Sequence, residues 1–133
     1  MQLPRRKQRE LLLQLLFSWE VANLSTTLMM ETLEVSKKNV LEMEAKLQKL
    51  IERIDEIDQI LIKSSFSYSL ERVSLVDKNI LRIALFELLF EREEPRIVIE
   101  EALRLSKKFS SPEAVSYVHA VIDEVNKNEV VPV

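Results

Sequence analysis

The chain has 133 residues, a formal net charge of −3, one histidine, and no glycine or cysteine. Without glycine it lacks the glycine-rich loops that bind phosphates and dinucleotides, and without cysteine it has neither disulfides nor thiolate metal sites. Its length fits one domain, and no stretch has the pattern of a signal peptide or a membrane span. We therefore expect a cytoplasmic protein that does not enter a membrane.

The first predicted helix spans residues 4–23 and begins with a cluster of cations, here called the basic start. Its members are Arg5, Arg6, Lys7 and Arg9. They give residues 1–9 a charge of +4, so the rest of the chain sums to −7. Cations at the positive end of a helix dipole destabilise the helix but favour an external anion. The basic start therefore predicts phosphate contacts, and the alternative is a solvated, frayed terminus.

The second half of this helix has an apolar face. The face consists of Leu12, Leu15, Leu16 and Trp19, and it is widened by Leu11, Phe17 and Ala22. Because Trp19 continues the leucine face, we assign it to the core rather than to a surface for stacking bases.

The middle of the chain predicts further helices. Ser25 can cap a short helix from about Thr26 to Glu34, and a long periodic segment covers residues 36–63. The apolar seam of that segment is Val40, Met43, Leu47, Leu50, Ile54, Ile57 and Leu61. Such spacing is typical of a helix in a bundle or coiled coil. It fits either one helix or two helices with a bend near Arg53.

A central core helix is predicted from Ser74 to Phe90. Ser74 and Asp77 have the spacing of a capping box, and from Ile80 onward only Arg82 and Glu87 are polar. A helix that is apolar all round is the centre of a bundle when it is too short to cross a bilayer. Since lone buried charges are very costly, Arg82 and Glu87 must be paired or reach an edge.

Two more helices complete the prediction. Residues 96–109 place Val98, Ala102, Leu105 and Phe109 inward. Ser111, Pro112 and Glu113 form a start signal for a last helix that runs to about Asn126. Its seam is Val115, Val118, Ile122 and Val125. No strand pattern is visible, so the fold class is all-α.

Several motifs in this order form a recognisable layout. They are RRKQRELLLQLLFSWE (5–20), ILRIALFEL (80–88), PRIVIEEA (95–102) and YVHAVID (117–123). This layout resembles the NusB family over residues 5–23 and 73–125. The resemblance implies two small bundles of about seven helices in all, packed around the central apolar helix. We expect an N-terminal half at 1–70, a C-terminal half at 71–126 and a flexible tail at 127–133.

The resemblance also implies a function. Members of the family act in transcription antitermination, where they bind single-stranded boxA-type RNA of ribosomal RNA leaders together with the ribosomal protein NusE, in the transcription elongation complex. Arg5, Arg6, Lys7 and Arg9 match the family's arginine-rich RNA-binding start. Tyr117 matches an aromatic residue of the RNA site, and Glu113 stands where the family often has an acid nearby. The alternative for Tyr117 is a tyrosine at the edge of the core.

Glu87 matches an acid that contacts NusE, and Glu91, one turn further, extends an acidic edge toward a basic partner. The alternative for Glu87 is an internal partner such as an arginine.

Two stretches depart from the family pattern. Where the family reads I-N-E-A, this chain has Ile99-Glu100-Glu101-Ala102, and where it reads F-V-N-G, this chain has Tyr117-Val118-His119-Ala120. His119 can replace the asparagine as a hydrogen-bond donor in the RNA site, and the alternative is an ordinary surface histidine.

No Ser/His/Asp or metal-binding constellation is present, so we expect a binding protein rather than an enzyme, with no cofactor. Two other functions stay open. One is a structural helical interaction protein without RNA binding, for which a homodimer through the 40–61 seam is one form. The other is an RNA-binding accessory module of a ribosomal RNA methyltransferase.

Overall fold

The computed structural model describes residues 3–22, 37–64 and 73–129. Every regular element in these ranges is an α-helix, which confirms the all-α class. The helices are α1 (Arg5–Ala22), α2 (Lys37–Glu52), α3 (Ile54–Ser64), α4 (Leu75–Leu89), α5 (Pro95–Phe109) and α6 (Pro112–Glu129). The short helix predicted at Thr26–Glu34 lies outside the described residues. No helix in the described ranges is long and apolar enough to cross a bilayer.

The chain divides into two units, Met1–Arg53 and Ile54–Val133. The boundary that we expected, at 70/71, lies outside the described residues. Within the first unit α1 packs on α2, and within the second unit α4 contacts α3, α5 and α6. Residues 127–129, which we expected in a tail, continue α6.

The apolar face of α1 is only partly as predicted. Leu11, Leu12, Leu15 and Leu16 are buried, and Trp19 is half-buried. Phe17, however, is 39% exposed, and Ala22 is also exposed. Phe17 follows the buried Leu13 by one turn, so helical register alone does not account for its exposure. Ala22 is the last residue of the helix as described.

The periodic middle segment forms two helices rather than one. A turn at Arg53 separates α2 from α3, and its amide donates to the carbonyl of Leu50 over 3.0 Å. The predicted apolar seam continues across this break and is confirmed for all members but one. Its buried members are Met43, Leu47, Leu50, Ile54, Ile57 and Leu61, while Val40 is half-buried.

The start of α4 has the predicted cap. The amide of Asp77 donates to Ser74 Oγ over 3.1 Å, and the Ser74 hydroxyl donates to Asp77 Oδ2 over 2.8 Å. The carboxylate thus holds the hydroxyl in place instead of reaching the Ser74 backbone. From Ile80 to Leu88 every residue is buried, so α4 is the core helix that the apolar run predicted.

Arg82 is paired inside this core. Its Nε and Nη2 donate to the two carboxylate oxygens of Asp58 over 2.8 and 2.6 Å, and its Nη1 donates to Asn79 Oδ1 over 2.9 Å. The Arg82 side chain is 6% exposed and that of Asp58 is 21% exposed. This bidentate ion pair connects α3 to α4. It provides the partner that we expected for Arg82 because an unpaired charge within an apolar helix is costly.

A tight turn joins α4 to α5. The amides of Phe90 and Glu91 both donate to the carbonyl of Phe86, over 3.0 and 3.1 Å, and Arg92 has a φ of 52°. Glycine is the usual residue in this left-handed region, and in a chain without glycine an arginine occupies it. Pro95 then starts α5, in the first helical position that proline tolerates.

The last two helices follow their predicted seams with one exception. Val98, Ala102, Leu105, Val118, Ile122 and Val125 are buried, and Val115 is half-buried. Phe109 is 37% exposed, so its assignment to the inward face was wrong. It has the inward register, but it is the last residue of α5, one turn beyond the buried Leu105.

Removing the partner of Arg82 should destabilise the second unit. We expect Asp58→Ala to lower the free energy of unfolding by roughly 2–4 kcal/mol, because the guanidinium would stay buried without its carboxylate while Asp58 itself retains some solvent contact. Chemical denaturation followed by circular dichroism measures this loss. Asp55→Ala, which removes an exposed carboxylate from the same helix, should change stability by less than about 0.5 kcal/mol. Equal effects of the two substitutions would contradict a structural role for the pair.

Candidate nucleic-acid interface

The basic start lies in the first turns of α1. Arg5, Arg6 and Lys7 are exposed, and the first turn contains no acidic residue. The side-chain amide of Gln8 donates to the carbonyl of Leu3 over 2.7 Å, which ties the preceding backbone to the helix. Three cations therefore lie at the positive end of a helix dipole. The side-chain charges and the dipole both favour a bound phosphate there.

Arg9 differs from the other three cations because it is only 4% exposed. It precedes Leu13 by four residues and Leu16 by seven, so it belongs to the buried stripe of α1. The four cations contribute equally to the local charge, but only Arg9 is packed into the core. The role of Arg9 in phosphate binding stays a prediction, and its burial favours a structural role.

Glu113 and Tyr117 lie together on α6. Four residues of helix separate them, so their side chains point in directions about 40° apart. Glu113 is exposed, whereas Tyr117 is half-buried and its hydroxyl oxygen is shielded from solvent. The helix itself begins at a cap in which the amide of Ala114 donates to Ser111 Oγ over 3.3 Å. Tyr117 accordingly sits at the margin between the buried seam and the exposed face.

His119 occupies the other edge of the exposed face of α6. It points about 160° away from Tyr117, and its Nε2 lies 3.4 Å from Asp123 Oδ2. The structure therefore groups Glu113 with Tyr117 but places His119 apart from them, beside an acid on its own helix. A shared role of His119 and Tyr117 at one nucleotide is not favoured by this arrangement.

The two acids predicted to contact a protein have opposite environments. Glu87 is 2% exposed within α4, while Glu91 is exposed just after the helix ends. Burial of Glu87 favours an internal partner, which the sequence left open as the alternative. Glu91, Glu93 and Glu94, here called the acidic turn, surround the left-handed Arg92 between α4 and α5.

One further group of surface residues was missed by the sequence reasoning. Lys107, Lys108 and Phe109 at the end of α5 are all exposed, and the Lys108 ammonium lies 5.4 Å from the centroid of the Phe109 ring. The signal was an aromatic residue next to two lysines immediately before the Ser110-Ser111 junction. Assigning Phe109 to the core hid this signal.

The basic start belongs to the first unit, whereas Glu87, Glu91, Glu113, Tyr117 and His119 belong to the second. In the described ranges no three His, Cys, Asp or Glu side chains converge in a way that could hold a metal ion. The available chemistry is that of surface recognition: cations for phosphates, aromatic rings for bases, and exposed carboxylates for basic protein groups.

Comparison with known proteins identifies the family of this chain. The model of the NusB family matches residues 6–127. The chain is 35% identical over 136 residues to the transcription antitermination protein NusB of Desulforamulus reducens, covering 97% of this chain and 95% of the relative. The chain belongs to the NusB family.

Solved structures agree with this membership. The chain resembles the structure of T. maritima NusB with a TM-score of 0.85 and 28% identity, covering 96% of this chain and 94% of that one. It also resembles a chain in the crystal structure of antitermination factors NusB and NusE in complex with double-stranded RNA, with a TM-score of 0.80, 26% identity, and coverage of 92% and 96%.

Proposed function

We propose that this chain is a transcription antitermination factor that binds single-stranded boxA-like RNA together with NusE, within the transcription elongation complex of the cytoplasm. The observation that carries the RNA half is the exposed group Arg5, Arg6 and Lys7 at the positive end of α1. Family membership supports the antitermination role, because relatives bear the name of antitermination proteins and one related chain was crystallised with NusE and double-stranded RNA. The role proposed is binding without catalysis.

The acidic turn is proposed as the contact for NusE. Glu91 and Glu94 are exposed there, and Glu93 is half-buried with its carboxylate accepting from the Glu94 amide over 3.2 Å. Arg92 and Arg96 offset part of the charge, and the surface stays net acidic. An acidic surface suits a basic ribosomal protein, since complementary charge steers association.

The alternative of a homodimer through the 40–61 seam loses its basis. The seam residues Met43, Leu47, Leu50, Ile54, Ile57 and Leu61 are 0–7% exposed in the single chain. An apolar stripe that the chain itself covers is not available to a second copy. No observation favours the methyltransferase module.

The function is tested by titrating a boxA-like RNA against a scrambled RNA of the same composition, with and without NusE, at several salt concentrations. We expect tighter binding of the boxA-like RNA, and we expect NusE to increase the difference. Equal affinity for both RNAs under all conditions would overturn the proposal, because only non-specific electrostatic binding would remain.

Charge removal at the basic start should change the salt dependence of binding. We expect Arg5→Ala with Arg6→Ala to weaken RNA binding and to reduce the slope of log affinity against log salt by about 1–2 units, at about 0.7 per single-strand phosphate contact. Fluorescence anisotropy at four or more salt concentrations measures the slope. The matched control is Lys38→Ala with Lys49→Ala, which removes two exposed cations from α2 and should leave the slope unchanged. Identical slopes for both double variants would favour a frayed terminus.

The Tyr117 ring should matter more than its hydroxyl. Base–aromatic stacking is worth about 1–3 kcal/mol per base, so we expect Tyr117→Ala to weaken RNA binding about 10-fold or more. Tyr117→Phe keeps the ring and should bind nearly normally. Because Tyr117 is half-buried, the titrations are made at a temperature where thermal melts show every variant folded. Lower stability with unchanged RNA affinity in Tyr117→Ala would assign this residue to the core edge.

The two acids near the end of α4 should behave differently toward NusE. We expect Glu91→Gln to weaken NusE binding severalfold with an unchanged melting temperature, because Glu91 is exposed. Glu87→Gln is the matched variant inside the core and should instead lower the melting temperature. Calorimetric titration with NusE and thermal unfolding separate the two effects. If Glu87→Gln alone weakened NusE binding without a loss of stability, the partner contact would belong to Glu87.

A further inference from the structure

The end of α5 carries a surface that its helical pattern does not explain. Phe109 continues the register of Ala102 and Leu105, yet it is 37% exposed where those two are buried. Phe17 and Phe109 are the exposed phenylalanines of the described ranges, and Phe109 alone lies next to exposed lysines. Lys107 and Lys108 suit the negative end of the α5 dipole, but the dipole gives no reason for an exposed aromatic ring.

The geometry of this group combines a ring with positive charge. The Lys108 ammonium lies 5.4 Å from the Phe109 ring centroid, which is within the range of a cation–π contact. Lys107 is exposed beside it. One cation is thus held against the ring while a second projects into solvent beside it.

The group also lies at the same end of the second unit as the start of α6. Ser110 and Ser111 alone separate Phe109 from Pro112, the first residue of α6. Tyr117 follows five residues later, a rise of roughly 7.5 Å along that helix. Two aromatic side chains therefore flank one helix junction, with two lysines on the α5 side.

We propose that Lys107, Lys108 and Phe109 form a contact site for single-stranded RNA, in which an unpaired base stacks on the Phe109 ring and the two lysines contact phosphates. This inference rests on the proposed RNA-binding function and extends it to a second group of residues. Single-strand sites combine cations along the backbone with aromatic platforms for bases, and this group supplies both. A basic protein such as NusE is disfavoured here because the lysines would repel it.

The test is a fluorescence anisotropy titration of a labelled boxA-like single-stranded RNA with the full chain and its variants. We expect Phe109→Leu, which keeps an apolar side chain but removes the ring face, to weaken binding about fivefold or more. Phe109→Tyr restores an aromatic ring and should bind within about twofold of the natural chain. The matched control is Phe17→Leu, since Phe17 is 39% exposed and its neighbours in the sequence, Leu16 and Ser18, are uncharged.

The lysines are tested through the salt slope. Lys107→Gln with Lys108→Gln should reduce the slope by about 1–2 units, at about 0.7 per lost phosphate contact, whereas Lys38→Gln with Lys49→Gln on α2 should leave it unchanged. Circular dichroism checks that every variant is folded, and NusE affinity is measured alongside.

This proposal is overturned if Phe109→Leu binds the RNA as tightly as the natural chain, or if Phe17→Leu loses as much RNA affinity as Phe109→Leu. Binding of the RNA by the natural chain would still support the proposed function in either case. A loss of NusE affinity without a loss of RNA affinity would identify the group as a protein contact instead, which also overturns it. Failure of the natural chain to bind the RNA would overturn both proposals.

Discussion

The packing of α3 on α4 is constrained by the ion pair between Arg82 and Asp58. Arg82 stands in a helix that is buried from Ile80 to Leu88, and it is satisfied by Asp58 of α3 and by Asn79 one turn earlier. Both carboxylate oxygens of Asp58 are used, so the pair constrains direction as well as distance. Sliding α3 by one residue would turn Asp58 by about 100° and break both of its hydrogen bonds to the guanidinium. Alternative registers of α3 on α4 are therefore penalised, which apolar contacts alone would do only weakly.

Much of this fold is predictable because its signals are local. Three features each depend on only a few neighbouring residues: the cap at Ser74, the apolar run that follows it, and the helix start at Pro112. The break at Arg53 was harder, because the apolar seam continues through it without interruption. The partner of Arg82 lies 24 positions away, and the helical pattern contains nothing that selects Asp58 among the other acids.

The candidate site was less predictable because exposure depends on where neighbouring helices end. Arg9 and Arg5 belong to one charge cluster, but Arg9 falls within the leucine stripe and is buried. Phe109 has an inward register and is exposed, since the helix ends one turn beyond its last buried leucine. Glu87 is a further example. The resemblance to the family predicted a contact with NusE for this residue, but its burial limits the access of a protein partner.

The charged surfaces of the second unit are separated by the length of α5. The acidic turn precedes this helix and the lysines close it, and its 15 residues span roughly 22 Å. That distance exceeds the Debye length of about 8 Å at physiological salt. Each end therefore presents its own sign of potential to solvent. An acidic chain can in this way attract an anion and a basic protein at once, provided that they approach opposite ends of the helix.

The position of Trp19 gives the molecule a built-in optical label. It is the sole tryptophan of the chain, it lies half-buried on α1, and it belongs to the first unit. Both tyrosines, by contrast, have positions within the second unit. Indole emission therefore reports on the surroundings of Trp19 on α1. Indole emission and phenol emission can then melt at different temperatures, and any gap between them measures how far the two units unfold independently.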